Sequence, residues 1–165
     1  MKAPLSKHQM PEWYRKALTL VELLLVVVLI GTLLGIGIPI YKSQLDKARN
    51  TKAISDIHVI QVEIIEYMID NEMLPESLEE LGKGREKLRD PWGTPYQYLK
   101  IEGKRRRDVQ GKWRKDRFLV PLNSDFDLYS KGKDKKSRPP LTARVSRDDI
   151  VRANNGGYLG LASKY

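Results

Sequence analysis

Few residues in this chain could do chemistry. Among 165 residues there are two histidines, His8 and His58, and no cysteine. Thiol nucleophiles, disulfides, iron–sulfur clusters and Cys-based zinc sites are therefore excluded. No glycine-rich phosphate loop, His-Glu zinc helix or nucleophile elbow occurs. The many Ser and Asp residues of the C-terminal half have no histidine beside them in sequence to act as a base, so the pattern argues against an enzyme. Carboxylates remain. Glu22 stands at the edge of a long apolar stretch, where an acidic group usually has a partner and a role; the plain alternative is a side chain snorkelling to an interface. A second group lies late in the chain. Asp125, Asp127 and Asp134 are followed by the pair Asp148-Asp149. Oxygen ligands gathered on loops suit Ca²⁺ and its loose coordination, although the spacing is not that of an EF-hand. Solvated acids and helix caps are the alternative.

The elements that must position these residues begin with a membrane segment. Residues 23–41 carry no charge. As a helix they would span roughly 28 Å, close to the thickness of a bilayer's hydrocarbon. A soluble core helix would show a polar face, and this stretch has none. Lys2, Lys7, Arg15 and Lys16 precede it against one acid, Glu12. That excess keeps the N-terminal end cytoplasmic by the positive-inside rule. Ile38-Pro39-Ile40-Tyr41 offers no small-residue cleavage site, so the helix is expected to stay attached. Gly35, Gly37 and Pro39 predict a kink or a locally melted turn.

Beyond the membrane the helical period continues. Leu45, Ala48, Ile54, Ile57, Ile60, Ile64 and Met68 recur at three- and four-residue steps between charged residues, which predicts an amphipathic stem over 42–71. Asp70-Asn71 and Pro75 should end it. His58 falls on its surface. Residues 76–82 read as a short turn stopped by Gly82. Asp90-Pro91-Trp92-Gly93 sets a tight turn, and Trp92 reads as an apolar anchor rather than a sugar platform. Three β-rich segments follow, at 95–101, 118–122 and 126–130. Asn154-Asn155-Gly156-Gly157 is a turn, after which residues 158–161 should pack back on the head.

The formal charge of +9 is unevenly spread. Loop 100–117 holds nine Lys/Arg against three acids, and loop 131–147 holds seven against one. Such loops could be solvated, could meet acidic faces of neighbouring copies, or could bind nucleic acid phosphates.

Lys16-Ala17-Leu18-Thr19-Leu20-Val21-Glu22 and the apolar run after it resemble the processing site of type IV pilins and type II secretion pseudopilins. The Asp90-Pro91-Trp92-Gly93 turn and Asp148-Asp149 are similar to features of the major pseudopilin. The resemblance implies an α+β fold, with a long N-terminal helix on a small antiparallel sheet and an irregular C-terminal loop. It divides the chain into a leader (1–17), an assembly helix (18–41) and a periplasmic head (42–165) with its sheet at 95–130. It implies that a prepilin peptidase cuts between Ala17 and Leu18 and methylates Leu18. Glu22 of one subunit would then pair with the Leu18 ammonium of the next and set the register. It implies a calcium ion held by Asp134, Asp148 and Asp149, with the backbone of Ser130 and Lys131 nearby. The implied partners are further copies, other pseudopilins and an inner-membrane assembly platform, in a single-pass bacterial inner-membrane protein drawn into a periplasmic filament that drives protein export. A surface pilus of the type IV kind and an anchored domain that never polymerises are the alternatives.

Overall fold

A computed structural model describes residues 19–82, 84 and 87–165. The leader at 1–17 and the pair Ala17–Leu18 lie outside the described residues. Two compact units divide at Gln44 and Leu45, and each is described by itself. Helix α1, Leu20–Asn71, runs from one into the other.

In the first unit the side chains of 20–41 are exposed, and Glu22 is their one charged residue. Leu, Val and Ile on every side of a helix leave no polar face to turn to water, the pattern of a segment whose solvent is lipid or other helices. This is a helix long and apolar enough to cross a membrane. It continues as helix through Pro39, so the locally melted turn that the sequence allowed there does not form. Proline removes a single backbone donor, and the bonds of the turns on either side hold the helix together.

In the second unit, α1 turns Ala53, Ile57, Ile60 and Ile64 inward, all fully buried. Their steps of four, three and four keep them on one face of a 3.6-residue helix. They join Tyr96, Phe126, Leu128 and Ile150 in the main core, with Ile54 and Met68 partly covered against it. Ala48, expected on this face, is exposed, and Ala53 takes part instead. The helix ends at Asn71, as the sequence predicts; the next residue, Glu72, is left-handed with φ of 58°.

The sheet is a four-stranded antiparallel meander in chain order. Its strands are β1 Gln97–Lys100, β2 Phe126–Ser130, β3 Ile150–Ala153 and β4 Tyr158–Leu161. Gln97 pairs with Tyr129, Tyr129 with Val151, and Ile150 with Leu161. Phe126, Leu128 and Ile150 face the helix. Val151 and Ala153 face the other way, where Leu122, Leu141 and Ala162 cover them. A short helix, α2 Arg106–Val109, covers a satellite cluster of Ile101, Val109 and Trp113.

Two expectations change. Residues 118–122 form no strand: Phe118 is 92% exposed, and only Leu122 reaches the core. Apolar content alone does not make a strand where no neighbour completes a ladder and Pro121 lacks a donor. The sheet also extends past residue 130. After the irregular loop at 131–149, β3 and β4 form a hairpin about the turn read at Asn154–Gly157, closed by the Gly157 N–H donating to the Asn154 carbonyl.

Candidate functional site

The first candidate is the start of α1. Thr19 and Glu22 cap the helix reciprocally. The Thr19 N–H and hydroxyl donate to Glu22 Oε2 at 3.0 and 2.8 Å, and the Glu22 N–H donates to Thr19 Oγ1 at 3.2 Å. This is a capping box, which satisfies donors that the first turn of a helix leaves free. The Thr-x-x-Glu spacing carried that signal and the sequence reading did not use it. Both bonds to the carboxylate fall on Oε2. Glu22 therefore has a local partner within its own chain, at the rim of an apolar surface.

The second candidate is the turn at 90–93. Asp90 is buried and accepts four hydrogen bonds. Oδ1 takes the N–H groups of Trp92 and Thr94 at 3.1 and 2.8 Å, and Oδ2 takes the hydroxyls of Thr94 and Ser130 at 2.5 and 2.6 Å. Gly93 supplies the positive φ, +87°, that closes the turn. Trp92 packs against the main core, the anchoring role read from sequence. Ser130, at the end of β2, joins this turn to the loop that follows, because its Oγ also accepts the Gly132 N–H at 3.1 Å.

The third candidate is that loop. Gly132 lies against Asp148 so closely that a Cβ there would stand 2.1 Å from the Asp148 carbonyl oxygen. The Asp134 N–H donates to Asp148 Oδ2 at 2.9 Å, and Asp134 Oδ1 accepts the Lys136 N–H at 2.7 Å. Asp149 points elsewhere. It is fully buried, and its Oδ2 accepts from the Arg114 guanidinium at 2.5 Å and from the Ser137 hydroxyl at 2.6 Å. Burial pushes the Asp149 carboxyl up to about 6, against the pull of Arg114 and the Ser137 hydrogen bond.

As placed, these residues do not gather round the calcium ion that the resemblance implied. Asp134 and Asp148 are joined to each other through the Asp134 N–H, Asp149 turns away to Arg114 and Ser137, and no metal-holding group of three His, Asp or Glu gathers among the described residues. Asp149 Oδ1 has no hydrogen-bond partner, but a cation already stands at the same carboxylate. A divalent ion and a guanidinium ~4 Å apart repel by on the order of 8 kcal/mol at an effective dielectric near 20.

Two buried arginines were missed: Arg114 sits in a basic loop that could be read as solvated, and nothing in the sequence pattern singles out Arg152. Arg114 lies on the face of the sheet away from the helix, and its guanidinium stacks 4.4 Å from the centre of the Tyr129 ring. Its backbone N–H donates to Asp127 Oδ2, whose partner oxygen takes Asn123 Nδ2. Burial raises the Asp127 carboxyl to about 6, and those two donors oppose the rise. Arg152 lies on the helix face. It makes a two-pronged pair with Asp125, bonds the Phe126 carbonyl, reaches Gln61 on α1, and lies 3.9 Å above the Phe126 ring centre.

Comparison with known proteins decides the family. No family model matches the chain. A type II secretion system core protein G of Pseudomonas aeruginosa is 31% identical over 137 residues, covering 72% of this chain and 83% of that protein. The core protein G of Dickeya chrysanthemi is 30% identical, over 87% of this chain and 94% of its own length. The chain belongs to the type II secretion system core protein G family. That of Vibrio cholerae is 31% identical over a shorter stretch, 49% of this chain.

For a core protein G, the exposed apolar helix fits a single-pass membrane anchor. The basic loops are also less free than their charge suggests. Lys100 and Lys104 both bond Glu76, Lys133 reaches Asp46 on α1 at 2.7 Å, and Arg114 is spent on Asp149.

Proposed function

We propose that the chain is a structural subunit of a type II secretion pseudopilus. It is stored in the inner membrane by α1 with its head in the periplasm, and is polymerised there with copies of itself and other pseudopilins on a membrane assembly platform. The filament pushes exported proteins outward. One observation carries this reading: an apolar helix exposed on every side, with a single carboxylate in its first turn. Such a surface must be covered by lipid or by identical helices, and a carboxylate in that setting needs a cationic partner. A prepilin peptidase would cut between Ala17 and Leu18 and methylate the new amine. The Leu18 ammonium of an incoming subunit then meets Glu22 of its neighbour, displacing the Thr19 contacts and fixing the axial step. The work done is mechanical, and no residue is assigned a reaction.

The test is co-expression of the full chain with a prepilin peptidase, followed by mass spectrometry and filament isolation. The expected product begins at methylated Leu18. A Glu22→Ala variant should be cut normally yet fail to enter filaments. An uncut chain, or filaments that form equally well without the carboxylate, would sink the proposal.

A further inference from the structure

We infer that Arg114 is a built-in cation that closes the loop between β2 and β3, so that this chain holds its head shut without a divalent ion. Arg114 is 1% exposed, and its guanidinium grips both limbs of the loop at once. One terminal nitrogen donates to the Ser137 hydroxyl at 2.5 Å and to the Arg138 carbonyl at 2.7 Å. The other donates to Asp149 at 2.5 Å, where the chain enters β3. Ser137 completes the clasp by donating to the same Asp149 oxygen. A second tie lies just outside it, where Ser146 Oγ accepts the Arg138 N–H and donates to the Arg138 carbonyl.

The clasp is held in place from below. Tyr129 of β2 offers its ring to the guanidinium, and the Arg114 N–H is fixed on Asp127 of the same strand. A planar fork with several donors can satisfy a hydroxyl, a carbonyl and a carboxylate together. A metal would draw on the same kinds of oxygen. With no disulfide available, one buried side chain from the preceding loop supplies the cross-link. The inference concerns the stability of the head and stands apart from the filament reading.

The experiment uses the full chain in detergent, with millimolar calcium or with chelator. The wild-type melting midpoint should agree between the two within about 1 °C, since a ligand bound only to the folded state must raise it. A clear rise with calcium would overturn the inference. A lysine-specific protease then probes the loop at Lys133, Lys135 and Lys136, which are exposed. Arg114→Met should speed cleavage about tenfold, with or without calcium, because the loop opens locally more often. The milder Ser137→Ala, which removes one strand of the clasp, should give a several-fold increase and decides the matter if Arg114→Met does not fold. Unchanged cleavage in Ser137→Ala, or a wild-type loop cut freely in chelator and protected by calcium, would refute the assignment.

Discussion

Replacing Arg152 with methionine tests whether a buried cation holds the sheet to the helix. Methionine keeps most of the aliphatic stem and its packing, so the change isolates the guanidinium. Arg152 is 2% exposed, whereas the Asp125 side chain is 25% exposed. Once unpaired, Asp125 can regain water, so the loss falls below the 3–5 kcal/mol typical of breaking a fully buried pair. Gln61 and the Phe126 carbonyl each lose a donor, at about 1 kcal/mol apiece, and the contact over the Phe126 ring is worth about 1 kcal/mol. A discounted ion pair brings the total to about 3–4 kcal/mol. For a head of this size that lowers Tm by roughly 12 °C. Circular dichroism melting of the detergent-solubilised chain reads it directly. A double-mutant cycle with Asp125→Ala should give a coupling of about 1 kcal/mol or more. A fall under ~3 °C, or no coupling, would mean that Arg152 is a passenger and that apolar contacts alone bind α1 to the sheet.

Two further outcomes follow from the loop and from β2. Gly132→Ala should cost about 2–4 kcal/mol in a urea melt, because its φ is +64° and the new Cβ would press on the Asp148 backbone; a loss under ~1 kcal/mol would show that the loop relaxes freely. Asp127 has a folded pKa of about 6 against an ordinary 3.8, so the folded chain binds its proton more tightly than the unfolded chain does. Its stabilising contribution is full below 3.8 and is lost as pH rises through 6, a swing of about 3 kcal/mol. Compared with Asp127→Asn, the wild type should therefore lose stability between pH 4 and 7, and parallel stability profiles for the two proteins would refute this.

Periodicity made α1 legible almost to the residue, since three- and four-residue spacing of Ile57, Ile60 and Ile64 has one structural meaning. β1 and β2 were legible because alternation and turn residues bracket them. β3 was not. All four of its residues are buried, on both faces, so no alternation marks it, and Arg152 in its middle reads as a surface charge. Residues 118–122 misled in the opposite sense, being apolar without a strand to pair with. At the candidate sites, the Asp90 turn and the placement of Glu22 were visible because local chemistry defines them. The Arg114 clasp joins residues 23 to 35 positions apart in sequence, a distance at which spacing says nothing.

On the proposed assembly, Glu22 and the two arginines divide the labour of a subunit that passes from membrane to filament without unfolding. Lipid tails and neighbouring apolar helices cover α1 about equally well, so burial of Leu, Val and Ile contributes little to choosing between membrane and filament. The choice then rests on the polar group that the apolar surface carries. Within one chain Thr19 already holds Glu22 Oε2, which lowers the cost of keeping a carboxylate at the rim while it waits. Neutral donors satisfy it more weakly than a cation would, so on the proposed assembly an incoming ammonium wins the carboxylate by electrostatics alone. With Arg114 as the inferred clasp, the head would draw on no ion from its surroundings. Arg152 fastens the sheet to the helix on one face and Arg114 fastens the loop on the other. On the proposed assembly, any load carried along α1 would be met by cross-links within the chain itself.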